Sequence, residues 1–297
     1  MIFCIYTSPW RSPSEKSASK TPMRSTQKLY LLVVVFCAGV WTTPNLAYAQ
    51  GGQADLPDSP SASSRSKHGN EVDREVSWRS LPKDFLHDQK NIWLFPTQWA
   101  KGRYLLPTLA IAGGTAGLIV ADPHVMPYFR NHSRNLDDIN DVFDSPITTG
   151  EVIAVPASLL VAGYVRHDPY QVSTALLAGE AYADSAVVDL AMKAVTRRKR
   201  PSDVPPGAPF NDTFFSGGVS PFKGSSFPSG HAAGVFSVAT VVASRYRNHR
   251  WVPWASYAFA TAISFSRVTT LSHFPSDVFL GAALGYTITR YQVLRPR

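Results

Sequence analysis

The sequence has 297 residues and a net charge of +8 at neutral pH, from 29 lysines and arginines against 21 acidic residues. This length is enough for one or two domains. The two cysteines, Cys4 and Cys37, both lie near the N-terminus, so the rest of the chain can neither form an internal disulfide nor use a thiol as a nucleophile. Stability beyond residue 37 must therefore come from a packed core.

Residues 1–49 have the pattern of a cleaved export signal. Five basic residues and one acidic residue precede Leu29, an apolar run follows, and the segment ends on small residues at Ala47 and Ala49. We expect cleavage after Ala49, which removes both cysteines and leaves a mildly basic mature protein. This predicts a periplasmic or membrane-associated protein whose active site lies outside the cytoplasm. The alternative is an uncleaved N-terminal anchor.

Residues 50–80 predict a flexible tether, which would make the N-terminal region disordered. Glycine, serine, proline, aspartate and lysine dominate this segment, and it holds few large apolar residues to offset the entropy of ordering. Regular structure is expected to begin at "LPKDFLHDQKNIWLFPTQWA", where the apolar spacing is that of an amphipathic helix. Such a helix either docks on the core or lies against a membrane surface.

Six apolar stretches follow, and they predict an all-α fold, a bundle of about six helices. The stretches are Leu105–Ala121, Val152–Val165, Gln171–Met192, Ala232–Ser244, Trp251–Ser266 and Val278–Thr289. We assign residues 81–169 to the N-terminal helices and residues 170–292 to the core of the domain. None of the stretches reaches the roughly 18 uncharged residues of a spanning helix, which favours a soluble or peripheral protein. Gly113 and Gly117, in GxxxG spacing, leave the membrane alternative open.

The first of three unusual segments is "KAVTRRKRP", which contains Lys193 and Arg200. Basic residues in a last helical turn followed by proline are a common way to end a helix, and this is the simplest interpretation of the segment. A nucleic-acid partner is not predicted, because no basic stripe with interleaved aromatic residues extends the segment.

The second segment is "FPSGHAAGVFSVATVVA". Ser229 can cap a helix, Gly230 permits a close backbone approach, and His231 then lies in the first helical turn. The amides and the positive dipole end of such a helix bind anions. An ordinary turn and cap is the alternative.

The third segment is "SRVTTLSHFPSD", which places Arg267, His273 and Asp277 between two apolar helices. Charged groups are costly to bury unless they are paired or serve a ligand. Asp277, four residues after His273, can accept a proton from one imidazole nitrogen and leave the other as a base or nucleophile. A satisfied buried pair without chemistry is the alternative for these two residues alone.

Together, the three segments provide what transfer of a tetrahedral phosphate requires. Lys193, Arg200 and Arg267, with the amides around Ser229 and Gly230, would neutralise the phosphate oxygens. His273 would attack phosphorus with Asp277 as its orienting group, and His231 would act on the opposite side. No metal or cofactor is predicted. The acidic residues between Asp137 and Asp144 lack the glycine and spacing of a calcium loop, so a solvated helix face is the better interpretation.

In these segments the sequence resembles the type 2 phosphatidic acid phosphatases, which share a fold with bacterial class A acid phosphatases and vanadium haloperoxidases. The family's signature is K-x6-R-P, then P-S-G-H, then S-R-x5-H-x3-D. Every specified position is matched, by Lys193, Arg200 and Pro201, by Pro228 to His231, and by Ser266, Arg267, His273 and Asp277. The resemblance spans about residues 170–292. It implies a helical bundle, metal-independent hydrolysis, a phosphohistidine at His273 and a general acid at His231.

The expected function is hydrolysis of a lipid phosphate or pyrophosphate, or of another small phosphoester. Between the first two motifs lies a loop that contains Phe210, Phe214, Phe215 and Phe222, which would either receive an acyl chain or form an ordered cover over the core. Two other functions use the same anion-binding residues: a vanadium-dependent haloperoxidase with vanadate on His273, and a non-catalytic anion-binding protein of the envelope.

Overall fold

The computed structural model describes residues 74–132, 145–216 and 225–295, and the described residues contain α-helices and no β-strand. The all-α prediction is therefore confirmed. The described helices are α1 (Leu81–Trp93), α2 (Phe95–Ala100), α3 (Leu105–His132), α4 (Ser145–Val165), α5 (Pro169–Thr196), α6 (Gly230–Arg245), α7 (Trp251–Thr269) and α8 (Pro275–Ile288). A short 3-10 turn follows α5 at Pro201–Asp203, and a π-helical turn, Thr289–Val293, continues α8. The predicted export signal and most of the predicted tether lie outside the described residues.

The predicted number of about six helices is corrected to eight within the described ranges. The six apolar stretches correspond to α3 to α8, and the additional helices α1 and α2 come from the amphipathic segment before them. Helix α1 docks on α5, where the side chain of Gln89 donates a hydrogen bond of 2.8 Å to Asp184 Oδ1. The amphipathic spacing predicted helical structure in this segment, but the segment was not included in the count of about six.

The predicted tether is wrong over its last residues, 74–80. Arg74 is 8% exposed, and its guanidinium pairs with Glu180 at 2.9 Å and with Asp84 at 3.1 Å. Val76 is also buried, and its amide donates to Ser173 Oγ. A segment of low hydrophobicity can still be ordered when its charged residues find partners in the folded protein. Here Arg74 has such partners, because carboxylates from α1 and α5 surround its guanidinium.

The core is formed by α4 to α7, with α6 at its centre. Leu159 of α4, Leu177 of α5, Val241 of α6 and Ile263 of α7 are all buried in one apolar cluster. Most of the side chains along α6 are buried, because α5, α7 and α8 pack around it. The first turn of α6 is thereby held against its neighbours.

Helix α8 approaches α6 closely because two glycines face it. A β-carbon at Gly281 would collide with the carbonyl oxygen of Ser229, and one at Gly285 would collide with that of Ala233. The amide of Ser229 donates to the carbonyl oxygen of Asp277 at 2.9 Å. The N-terminal ends of α6 and α8 therefore lie side by side, which brings the second and third sequence segments together.

Helix α3 is longer and more apolar than the sequence predicted. It continues past Ala121 through Asp122 to His132, a length of 28 residues. A window of 18 residues within this helix has a mean hydropathy of 1.5, and only 11% of that window is buried in the protein. Of the described helices, α3 alone is long and apolar enough to cross a membrane. The uncharged run itself still ends at Ala121, and Asp122, the next residue, is completely buried and accepts from the amide of Ser276 in α8. The outer surface of α3 exposes Leu106 and Val120.

Candidate active site

The first motif lies at the C-terminal end of α5 and in the chain that follows. Helix α5 begins with Asp168 as its cap, whose carboxylate accepts from the amides of Tyr170 and Gln171, and it ends at Arg197 in the left-handed region with φ of 41°. Lys193 lies in the last turn and is partly buried, with Nζ 2.7 Å from Asp189 Oδ2. Arg200 is also partly buried, and its amide is capped by the side chain of Asp203.

The second motif forms the N-terminus of α6, as predicted from the capping serine. The buried Ser229 Oγ accepts from the amide of Ala232 at 3.4 Å. A β-carbon at Gly230 would lie 2.8 Å from Asp189 Oδ2 and 3.0 Å from Lys193 Nζ, so only glycine fits there without a shift. The end of α5 therefore lies directly against the first residue of α6, and Lys193 adds a charge to the amides of the helix N-terminus.

The third motif spans the end of α7 and the start of α8. Arg267 is 1% exposed, and its Nε and Nη2 lie 3.2 Å and 3.0 Å from Ser266 Oγ. His273 is also 1% exposed, and Asp277 is completely buried in the first turn of α8. The rings of His273 and the partly buried His231 lie 6.5 Å apart between centroids, in an edge-to-face arrangement. The structure thus brings together both predicted catalytic histidines.

The hydrogen bond of His273 differs from the predicted one. Its Nδ1 lies 2.8 Å from the carbonyl oxygen of Ser226, which only accepts, so Nδ1 carries the proton and the Nε2 lone pair is left for chemistry. The nearest oxygen of Asp277 is 3.7 Å from Nδ1, which is too far for a direct hydrogen bond. Asp277 instead accepts from the amide of Phe274 at 2.8 Å and from the hydroxyl of Ser226. Its action on His273 is therefore electrostatic and positional.

The pKa values of the two histidines show how positive this site is. Burial and the charge of Arg267, with smaller contributions from His273, Lys193 and Arg200, lower the pKa of His231 to about 3. Burial also lowers the pKa of His273, and Lys193 and Arg200 act in the same direction against the opposing effect of Asp277. All three predicted phosphate-binding cations therefore act on at least one of the two rings, which fits a site for an anion.

Arg198 is a member of this site that the sequence analysis did not single out. It is 2% exposed, and its guanidinium pairs with Asp277 Oδ1 at 2.6 Å and Asp122 Oδ2 at 2.7 Å. The same group lies 3.8 Å from the ring centre of Phe274 and 4.4 Å from that of Phe214. Four consecutive basic residues, 197–200, gave no indication which one turns inward. Arg198 fixes the carboxylate behind His273 and links it to α3.

The loop after the first motif is an ordered cover where it is described. Phe210 is 4% exposed and packs edge-to-face on Phe274, while Arg130 of α3 donates to the carbonyl oxygens of Pro201 and Val204. Phe215 differs, with 67% of its surface exposed. Phe222 lies outside the described residues. The cover interpretation thus holds for Phe210, and Phe215 remains available to a ligand.

A second group of charged residues lies away from these histidines, near the middle of α5. Single ligand atoms of Asp88, Glu180 and Asp184 all lie within 4.8 Å of one another, as a metal site would require. Arg74 also pairs with Asp88 at 3.6 Å, in addition to Glu180. A guanidinium thus supplies positive charge at this position. The acidic residues Asp137 to Asp141 and Asp144 lie outside the described residues.

Comparison with known proteins finds a family match for the part of the chain that contains the site. Residues 174–295 match the family model of the PAP2 superfamily. A segment of 64 residues is 38% identical to the lipid A 1-phosphatase of Porphyromonas gingivalis, and it covers 21% of this chain and 14% of that relative. No solved structure matches the chain significantly. The family match contains all three motifs and the buried Arg198.

Proposed function

Because residues 174–295 belong to the PAP2 superfamily, we propose that this protein is a phosphatase that hydrolyses a lipid phosphate or pyrophosphate through a phosphohistidine at His273. The observation that carries the proposal is the pairing of two histidines, 6.5 Å apart, within a group of three cations and a helix N-terminus. A tetrahedral anion is the ligand that such an arrangement stabilises.

In the first step, His273 Nε2 attacks phosphorus and the bond to the leaving oxygen breaks. The proton on Nδ1 stays in its hydrogen bond to Ser226, which holds the ring in the reactive tautomer. Lys193, Arg200, Arg267 and the amides at the start of α6 offset the charge on the three remaining phosphate oxygens. No metal is required for this step, since the chain itself supplies the cations.

His231 donates the proton that the leaving oxygen needs. Its pKa of about 3 in the protein alone would leave it neutral at ordinary pH. A bound phosphate dianion opposes the charges of Arg267 and Lys193, so it raises the pKa of His231 and allows the ring to arrive protonated at the transition state. In the second step, the neutral His231 removes a proton from water, which attacks phosphorus and releases His273.

A lipid substrate is supported by the relative and by the surface of α3. The relative's name assigns it to lipid A, and the segment shared with it is only a small part of that protein. Helix α3 presents an exposed apolar surface and is tied to the site through Asp122 and Arg198. We therefore place the enzyme at a membrane surface, exported by the N-terminal signal. N-terminal sequencing of the exported protein should begin at Gln50, and a retained apolar run would favour the anchor.

A phosphate-release assay tests the proposal directly. The purified protein should release phosphate from at least one of phosphatidate, prenyl pyrophosphate and lipid A, faster than from soluble monoesters, and with EDTA present. Rapid acid-free quenching should trap phosphate on His273, and vanadate should inhibit competitively. Release of phosphate from none of these substrates, with halide oxidation by the vanadate-loaded protein and peroxide, would establish the haloperoxidase alternative instead.

A further inference from the structure

Asp189 is a buried carboxylate next to the phosphate-binding residues, and the mechanism above does not use it. It lies one turn before Lys193 on α5 and is 5% exposed. Its Oδ2 is 2.7 Å from Lys193 Nζ, and it is also the atom nearest to the position a β-carbon would take at Gly230, 2.8 Å away. Asp189 therefore contacts both the cation and the helix N-terminus that are expected to hold the anion.

The second oxygen of Asp189 marks the carboxylate as incompletely satisfied. Oδ1 is buried and accepts no hydrogen bond from any described residue. A buried carboxylate normally has both oxygens hydrogen-bonded, because desolvating the charge is costly. Accordingly, burial raises the pKa of Asp189, although Lys193 and His273 oppose the rise. These two groups, from α5 and from the turn before α8, are the charges that act on it, and α6 contributes Gly230, which has no side chain.

A bound anion and the ionised Asp189 would lie close together. An oxygen that accepts a hydrogen bond from Lys193 Nζ sits at most two hydrogen-bond lengths, about 5.5 Å, from Asp189 Oδ2. Two negative charges at this distance disfavour each other, so the anion favours the protonated carboxyl group. The effect is reciprocal: a proton on Asp189 must strengthen binding of the anion by the same factor.

We propose that Asp189 couples phosphate binding to the uptake of one proton from solvent. The inference rests on the proposed function, since it takes Lys193 and the α6 N-terminus as the anion site. Once protonated, Asp189 no longer forms an ion pair with Lys193, and the ammonium group of Lys193 then binds the phosphate. Substrate affinity is then higher in acid than in alkaline solution, through this residue.

Sulfate is the probe that tests this coupling, because it resembles phosphate but stays a dianion over the whole pH range of the experiment. The dissociation constant of sulfate should be measured from about pH 4.5 to about pH 8.5 for the wild-type protein and Asp189→Asn. The asparagine mimics the protonated side chain. The affinities of the two proteins should converge as the pH falls, and at the alkaline end the variant should bind about tenfold more tightly.

Two further variants complete the experiment. Asp189→Ser removes the same charge with a different shape, and it should give the same pH-dependent ratio. Asp212→Asn changes an exposed aspartate outside the site and should follow the wild-type protein at every pH. Weaker binding of sulfate by both Asp189 variants in equal proportion at all pH values would show that Asp189 only aligns Lys193, and would overturn the proposal. A ratio of one throughout would overturn it as well.

The proposed function fails in a different way. A wild-type protein that bound neither sulfate nor inorganic phosphate at any pH would remove the anion site itself, and with it both proposals. If the protein hydrolyses substrate and binds anions but neither property depends on Asp189, only the proposed role of Asp189 is overturned.

Discussion

Helix α5 carries two buried clusters of charge with opposite balance. Near its middle, Glu180 and Asp184 meet further carboxylates from α1 around a single guanidinium, that of Arg74. At its end, Lys193 belongs to a cluster in which cations outnumber the carboxylate of Asp189, and two histidines have their pKa values lowered. The middle of this helix therefore surrounds an arginine with carboxylates, whereas its C-terminal end presents positive charge.

The difference between the clusters distinguishes buried charges that stabilise the fold from those that we propose bind a ligand. The Arg74 cluster joins the chain before α1 to α5 and to the last turn, where Arg74 donates to the carbonyl oxygen of Val293 at 2.5 Å. Arg198 resembles it, since it lies between Asp122 and Asp277. At the histidines, burial and the surrounding positive charge both lower the pKa values, and a bound anion would offset the part that is due to the positive charge. The following variants test this distinction.

The largest effect is expected for His273→Ala. Loss of the attacking nitrogen should lower kcat by at least about 1,000-fold on every substrate, since no neighbouring group can form the phosphorus–nitrogen bond. His87→Ala, on the exposed surface of α1, is the matched control and should keep full activity. Substantial hydrolysis by the His273 variant would assign the nucleophile to another residue.

His231→Ala should have a large effect that depends on the leaving group. On an alkyl phosphate, which needs a proton, kcat should fall by about 100-fold or more, whereas on nitrophenyl phosphate the loss should be much smaller. Steady-state kcat values for a series of phenyl phosphates test this prediction. In the variant, kcat should depend more steeply on the pKa of the leaving group than it does in the wild-type protein. Equal losses across the series would contradict the role of His231 as general acid.

Arg198→Met and Arg74→Met compare the two internal arginines directly. Each leaves buried carboxylates without their cation, so each should lower the free energy of unfolding by about 3–5 kcal/mol. Only the Arg198 variant should also lower kcat of the folded protein, because Asp277 loses its partner behind His273. Unfolding by urea and activity should be measured on the same preparations. A similar loss of kcat in the Arg74 variant would show that the clusters are not independent.

The lowered histidine pKa values predict that the protein alone is less stable in acid. The pKa of His231 falls from 6.5 to about 3 on folding, so below about pH 6.5 the unfolded chain binds a proton that the folded protein does not. Stability should therefore decrease as pH falls towards 3, by at most about 1.4 kcal/mol per pH unit for this residue. The difference between wild type and His231→Gln in thermal unfolding isolates the effect. Added phosphate should stabilise the wild type most at the acid end.

The smallest effect is expected for Phe215→Ala. Its exposed ring takes no part in the apolar core, so stability should change by less than about 0.5 kcal/mol. If the ring contacts the chains of a lipid substrate, KM for the lipid should rise several-fold and KM for a soluble ester should not change. A shift of both constants together would remove Phe215 from substrate choice.

The sequence alone determined much of this molecule where the cause is local. Apolar periodicity marked α3 to α8, Ser229 marked the start of α6, and three spaced motifs predicted which residues bind phosphate and catalyse its transfer. These features depend on neighbours within one or two helical turns, such as a side chain that caps the amide three residues later.

Tertiary structure alone decided which charged groups are buried and with which partners. Arg198 turns inward, whereas its neighbour Lys199 is exposed, because Asp122 lies 76 residues away in sequence and beside it in space. His273 donates to Ser226 instead of the predicted Asp277, and Arg74 leaves the predicted tether to reach Glu180. The free energy of a buried charge depends on the groups that surround it in the folded chain, and those groups come from helices whose order in space the local sequence does not specify.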